Sequence, residues 1–373
     1  MLPPLLLALV AALIQLRGQP LAGGILSGSA SFRLERASGG DTPVLTLNSP
    51  GGVVRLLLDS GASSTMVTPA LAHRLGLSSQ VLSNQELELA AGGSGCAALR
   101  PRRTRLPPLE LASLEQVGQL RLSGIEALLL PVAALPPGID GVLGIPSLRQ
   151  LPFWIDPQRH RLALGAAALQ AARDHDSWAR GPRGPLSQVP VSHNSDSQNP
   201  LSRGAFGNGS ITTGPIGTDP ITAGPHGAGL LSAGSVRIAS EQAQVIPLRW
   251  RRGVPLLDLN SPGGTVAALA DTGAEGLFIS PALAARLQPQ SPGQSLRLTG
   301  FCGEQDVELR RYAGLAMPGN GRPPNQPAVL EAIRIENPIF AQLGVEAIVG
   351  QELLRSRPQL WRLESKPPRL ELR

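Results

Sequence analysis

The sequence predicts an all-β chain of two related lobes, each with one or two short helices, on three observations. Gly (43) and Pro (36) are frequent among the 373 residues, which favours short strands and many turns over long helices. Hydrophobic residues make up 42 % but aromatics only 3 %, so the cores are built from Leu, Val, Ile and Ala. The third observation is internal repetition. Residues 44–75 read VLTLNSPGGVVRLLLDSGASSTMVTPALAHRL, and residues 256–287 read LLDLNSPGGTVAALADTGAEGLFISPALAARL. The two align without a gap at a constant offset of 212, with 18 of 32 positions identical. The chain is read as a duplication.

Each copy has the same local logic. Asn48-Ser-Pro-Gly-Gly52 and Asn260-Ser-Pro-Gly-Gly264 are turn chemistry between apolar runs, hence a β-hairpin. The strands Val53 to Leu58 and Thr265 to Ala270 then deliver Asp59 and Asp271 to loop tips, followed by Ser-Gly-Ala and Thr-Gly-Ala. A short strand follows in each (Thr65 to Val67; Leu277 to Ile279). Thr68-Pro69 and Ser280-Pro281 supply an N-cap and a proline at the first helical position, opening an Ala/Leu helix. Downstream, Ile139-Asp-Gly-Val-Leu-Gly144 and Ala347-Ile-Val-Gly350 each precede a short helix, and the copies end in Arg161-Leu-Ala-Leu164 and Arg369-Leu-Glu-Leu372.

The repeats therefore span 29–167 and 238–373. Between them, 168–237 is rich in Gly, Pro, Ser and Asn without apolar periodicity, and reads as a disordered linker. Flexible-coil statistics give about 70 such residues a span on the order of 40–50 Å, enough for the repeats to meet face to face. Residues 1–22 read as a targeting segment. Leu5 to Leu16 is short for a transmembrane helix but matches the apolar core of a signal peptide, and Leu21-Ala22-Gly23-Gly24 offers small residues for cleavage. The first residues, Met1-Leu2-Pro3-Pro4, carry no basic side chain, so a retained N-terminal anchor stands beside the cleaved signal peptide. Both readings place the protein outside the cytoplasm, periplasmic or secreted.

Asp59-Ser60-Gly61-Ala62 and Asp271-Thr272-Gly273-Ala274, each after an apolar strand, resemble the active-site loops of aspartic peptidases. Val142-Leu143-Gly144 and Ile348-Val349-Gly350 are similar to the apolar-apolar-glycine element of the retropepsins. The resemblance covers both repeats and implies two retropepsin-like acid-protease β-barrel lobes related by a pseudo-twofold. It implies an aspartic endopeptidase with Asp59 and Asp271 as catalytic pair and a water activated between them. Two carboxyls a hydrogen bond apart cannot both ionise cheaply, so they share a proton and act as base and acid in turn. Ser60 and Thr272 would brace the opposing loops through their hydroxyls. Gly61 and Gly273 let backbone approach closely, beside Ala62 and Ala274.

The substrate is expected to be an extended polypeptide held beneath flap hairpins. Gly93, Ser94 and Gly95 in the first copy, and Gly300, Phe301 and Gly303 in the second, are the flap candidates. Cys96 and Cys302 sit at these tips, either joined as a disulfide across the pseudo-dyad or as two separate thiols. The repeats pair within one chain or, in a second assembly, between the chains of a dimer. The copies also differ. Ala267, Ala268 and Ala270 thin the second strand, Glu275 and Gly276 replace Ser63 and Ser64 after the loop, and the single tyrosine, Tyr312, lies beyond the flap.

No cofactor, metal or nucleic acid is called for. HExxH, paired CxxC and P-loop patterns are absent from the sequence, and its five histidines (73, 160, 175, 193, 226) pair with no nucleophile. The net charge is +6, but Lys366 is the single lysine, and neither Arg100–Arg105 nor Arg249–Arg252 lies in a recognisable nucleic-acid module. A non-catalytic peptide-binding protein on the same fold is the alternative function.

Overall fold

The structure is a computed structural model that describes residues 21–37, 41–82, 100–111, 117–132, 135–180, 243–300, 303–318 and 329–373, together with the backbones of strands 6–7, 13–16 and 87–90. Among these residues the chain is predominantly β, with short helices and one longer one.

In the N-terminal half, β1 (Gly23–Arg33) is followed by a hairpin of β2 (Pro43–Ser49) and β3 (Gly52–Leu58). The hairpin closes at Ser49 and Gly52, where the Ser49 hydroxyl donates to the Gly52 carbonyl (2.8 Å) and accepts from the Gly51 N–H (3.3 Å). Then come β4 (Met66–Val67), helix α1 (Pro69–Arg74), β5 (Val117–Leu129), β6 (Gly141–Leu143), helix α2 (Ile145–Leu148), β7 (Phe153–Asp156) and β8 (Arg161–Leu164). Strand β6 inserts parallel to β3 and antiparallel to β4, pairing Leu143 with Leu58 at the strand end that carries Asp59. Helix α1 starts where Thr68 accepts the Leu71 N–H on its hydroxyl (3.2 Å) with proline at the first turn, a cap contributing about 1 kcal/mol.

Helix α3 (Ala166–Arg180) comes next. It occupies the first part of the segment expected to be linker from 168. AAALQAARDHDSWAR is alanine-rich, and Ala168, Ala171 and Ala172 are buried against Trp154, so packing of one face carries the helix past the expected boundary. The rest of that segment lies outside the described residues.

In the C-terminal half, β9 (Gln244–Pro247) precedes the hairpin of β10 (Val254–Ser261) and β11 (Gly264–Ala270). There follow β12 (Leu277–Ile279), helix α4 (Pro281–Arg286), the hairpin of β13 (Gln294–Gly300) and β14 (Gly303–Ala313), β15 (Val329–Arg334) and helix α5 (Pro338–Leu343). The half ends with β16 (Ala347–Val349), helix α6 (Gln351–Leu354), β17 (Gln359–Arg362) and β18 (Arg369–Leu372). Burial along β3 and β11 follows the same order, two exposed residues and then an increasingly buried run towards the aspartate. Strand β16 lies parallel to β11 and antiparallel to β12, and Ser280 caps α4 through the Leu283 N–H (3.1 Å).

The halves are joined by a sheet that runs β1-β8-β7-β17-β18-β9. The seam is the antiparallel pair β7–β17, where Phe153 stacks on Trp361 with ring centroids 5.6 Å apart and planes 10° from parallel. Trp154 and Trp361, expected as core residues, are both fully buried. One apolar cluster runs through the seam from Leu56 and Leu58 to Leu257 and Leu370. No helix among the described residues is long and apolar enough to cross a membrane. In the N-terminal apolar run, Leu6–Leu7 lies parallel to Leu298–Thr299, and Leu13–Leu16 antiparallel to Leu87–Ala90.

Truncating the seam should cost the whole structure. Trp361→Ala is expected to lower unfolding free energy by about 3–5 kcal/mol. Trp178→Ala, on a side chain 73 % exposed and touched chiefly by Arg159, should cost no more than about 1 kcal/mol. Urea unfolding of both variants checks the contrast.

Candidate active site

Strands β3 and β11 end at Asp59 and Asp271, and each aspartate is registered by the inserted strand of its own half. The Asp59 N–H donates to the Leu143 carbonyl (3.2 Å) and the Asp271 N–H to the Val349 carbonyl (3.0 Å). The next residue of each loop reaches across to the other. The Ser60 N–H donates to the Thr272 hydroxyl (3.0 Å), and the Thr272 N–H donates to the Ser60 hydroxyl (2.9 Å). Each hydroxyl then donates to the strand opposite, Ser60 to the Ala270 carbonyl and Thr272 to the Leu58 carbonyl, both at 2.7 Å. All four bonds are buried, so breaking one would leave a desolvated donor or acceptor.

This brace brings the two carboxyls together. Asp59 is 1 % exposed and Asp271 is 0 % exposed, and their side chains are hydrogen-bonded to each other. Asp59 Oδ1 accepts from the N–H of Gly61 (2.7 Å) and of Ala62 (2.9 Å), and Asp271 Oδ1 accepts from that of Gly273 (2.8 Å). Gly61 and Gly273 are glycines of necessity. A Cβ on Gly61 would sit 2.4 Å from Asp271 Cγ, and one on Gly273 would sit 2.4 Å from Asp59 Cγ. Ala62 and Ala274 are buried behind them, their carbonyls accepting the first N–H of α2 (Ile145, 3.0 Å) and of α6 (Gln351, 2.8 Å).

Burial pushes both carboxyls towards the neutral form. For Asp59 the hydrogen bond with Asp271 and the N–H groups of Gly61 and Ala62 work against it, and the rise is the smaller one. Asp271 is raised well above the ordinary range, by burial first and then by the charge of Asp59 and the hydrogen bond to it. Asp271 Oδ2 is buried and meets no N–H or hydroxyl donor. Two buried carboxyls in contact favour a single shared proton, and the pair titrates as a unit.

The sequence profile of an aspartyl protease family matches residues 45–147, which include β3, the Asp59 loop and β6. The chain has an aspartic-protease-like fold. No curated protein matches it in sequence. Among solved structures, it is similar to conglutin gamma, a basic 7S globulin from lupine seeds, at 10 % identity and a TM-score of 0.44 over 94 % of this chain and 95 % of that one. It is also similar to the basic 7S globulin from soybean, at 10 % identity and a TM-score of 0.40 over 95 % of each chain. Both likenesses are too distant to bear on function.

Of the flap candidates, Gly300 and Gly303 face each other as the last pair of the β13–β14 hairpin. Gly93, Ser94, Gly95 and Phe301 lie outside the described residues, as do Cys96 and Cys302. Among the described residues no group of His, Cys, Asp and Glu could hold a metal.

Two features escaped the sequence reading. Gln351, 1 % exposed, donates to the Thr272 carbonyl (3.2 Å) and accepts from Gln359 (3.2 Å), which accepts from the Trp361 indole N–H (3.0 Å). This buried chain links the Asp271 loop to the seam. Its signal was a polar residue following Gly350 where Ile145 follows Gly144. The second feature is Glu275, read as an added charge. Its carboxylate is occupied by backbone and hydroxyl donors of the N-terminal half.

Because both aspartates sit above their ordinary value of 3.8 when folded, the folded state holds a proton that the unfolded chain releases. Their contribution to stability is complete below the unfolded value and is lost as pH rises through the folded one. Asp271→Asn removes the larger of the two shifts and leaves Asp59 to titrate alone. The wild type should therefore gain on this variant as pH falls towards about 4, and lose ground as pH rises. Urea midpoints at a series of pH values measure the difference, and a flat difference would contradict the assignment.

Proposed function

We propose that the protein is an aspartic endopeptidase in which Asp59 and Asp271 of one chain hydrolyse peptide bonds. The observation that carries this reading is the buried, mutually hydrogen-bonded carboxyl pair, held by reciprocal Ser60 and Thr272 bonds. Such a site can hold one proton between two oxygens and move it without reorganising its surroundings.

In the proposed reaction Asp59, whose Oδ1 accepts two loop N–H groups, is the ionised member and takes a proton from a water lying between the carboxyls. That water attacks the peptide carbonyl carbon while Asp271 donates its proton to the carbonyl oxygen. Collapse of the tetrahedral species breaks the C–N bond as Asp59 passes its proton to the leaving nitrogen, and Asp271 recovers a proton from the hydroxyl. No covalent intermediate forms. The substrate would be an extended polypeptide, its backbone bonded to the hairpin β13–β14 and to the strand Leu87–Ala90 of the other half. Export, guided by the apolar N-terminal run, completes the reading, and a leader removed near Ala22 would free the strand edges it pairs with.

Cleavage of a peptide library across pH tests it. Asp59→Asn and Asp271→Asn should each lower kcat/KM by about 10²–10⁴, and the wild type should give a bell-shaped profile. Survival of activity in either variant would mean the two loops do not act together. Absence of cleavage by the wild type at every pH would favour the non-catalytic peptide-binding alternative.

A further inference from the structure

The duplicated loops are not equivalent, and the difference lies in one carboxylate. Glu275 follows Asp271-Thr-Gly-Ala directly, and Ser63 holds the matching place after Asp59. Glu275 Oε2 accepts the Asp41 backbone N–H (2.5 Å), and Oε1 accepts both the Thr42 backbone N–H (3.0 Å) and the Thr42 hydroxyl (2.5 Å). The same hydroxyl lies 3.3 Å from the Gly273 carbonyl, and Thr42 is 2 % exposed. Behind it the Asp41 carboxylate pairs with Arg36 (2.7 Å) of its own half and with Arg355 of the other. The backbone of Glu275 also accepts the Glu352 N–H of α6 (2.8 Å).

The side chains of this clasp are not repeated on the other side of the duplication. At the offset of 212, Val254 stands for Thr42, Gly253 for Asp41 and Ser63 for Glu275. A serine cannot present two acceptor oxygens to adjacent N–H groups, and a valine has no hydroxyl to offer. The carboxylate clasp therefore belongs to the Asp271 loop. Gly273 stands between it and the dyad. Its N–H supports Asp271 Oδ1 at 2.8 Å, and its Cα faces Asp59 so closely that a Cβ would strike Cγ at 2.4 Å.

We propose that Glu275 is a positioning residue for the dyad: by clamping the Asp271 loop to the Asp41–Thr42 backbone it holds Gly273 and Asp271 at the spacing the shared proton requires. A carboxylate collecting three donors across the interface of two lobes fixes distance as well as attraction, because each oxygen has its own partner.

This inference rests on the peptidase reading for its kinetic test but not for its spectroscopic one. Glu275→Gln keeps the side-chain shape and turns an amide donor towards one of the N–H groups. It should lower kcat ten- to about a hundredfold with KM changed less than about twofold. Thr42→Val should act in the same direction, the double variant should be no worse than the poorer single, and Thr42→Ser should restore activity. Unchanged kcat per folded molecule in Glu275→Gln, whatever its melting temperature, would overturn the proposal. Independently of cleavage, the infrared band of the protonated dyad carboxyl, identified by its loss in Asp271→Asn, should shift in Glu275→Gln and in Thr42→Val. An unmoved band would sink the clamp even in an active enzyme. A shifted band in a protein that cuts nothing would keep the clamp and reject the peptidase.

Discussion

Ser60 and Thr272 each perform two tasks at the meeting of the lobes, accepting the other loop's N–H and donating to the carbonyl that ends the other loop's strand. The arrangement is worth little unless both loops are present, because each hydroxyl finds its partners only across the interface. Once formed, it places two strand ends back to back in a region that excludes water. Everything chemical at the site follows from that placement. The aspartates are close because their loops are cross-braced, and they are raised towards the neutral form because the brace is buried.

Holding two carboxyls together is costly, and the structure spreads the cost over several supports. The N–H groups of Gly61, Ala62 and Gly273 stabilise one oxygen of each carboxylate. The inserted strands β6 and β16 fix the backbone behind them. A polar chain from Thr272 through Gln351 and Gln359 to Trp361 ties the second loop to the seam of stacked aromatics. Buried polar groups of this kind are stabilising when every member is satisfied. The two aspartates also differ locally, Asp59 accepting two loop N–H groups on one oxygen.

Much of the site was legible before any coordinates. A repeated D-[S/T]-G-A after an apolar strand identified Asp59 and Asp271, and the Pro-Gly hairpins and the caps at Thr68 and Ser280 are local patterns that local geometry honours. Helix α3 was not read, since an Ala-rich stretch beside a Gly/Pro-rich one looks like part of it until packing against Trp154 selects the helix. Glu275 shows in the sequence only as a difference between the copies, because two of its three donors are backbone N–H groups 233 and 234 residues away.

The sequence by itself determined the strand and turn pattern and the place of an aspartate at the end of the same strand in each copy, because these depend on residue type within a few positions. Only the tertiary structure decided that three strands of the C-terminal half continue a sheet of the N-terminal half, and that Phe153 meets Trp361. It alone revealed that Glu275 clamps its loop to Asp41 and Thr42 from across the interface. Those outcomes depend on which backbone donors and apolar faces remain unpaired after local folding, and that is a property of the assembled chain, not of any segment.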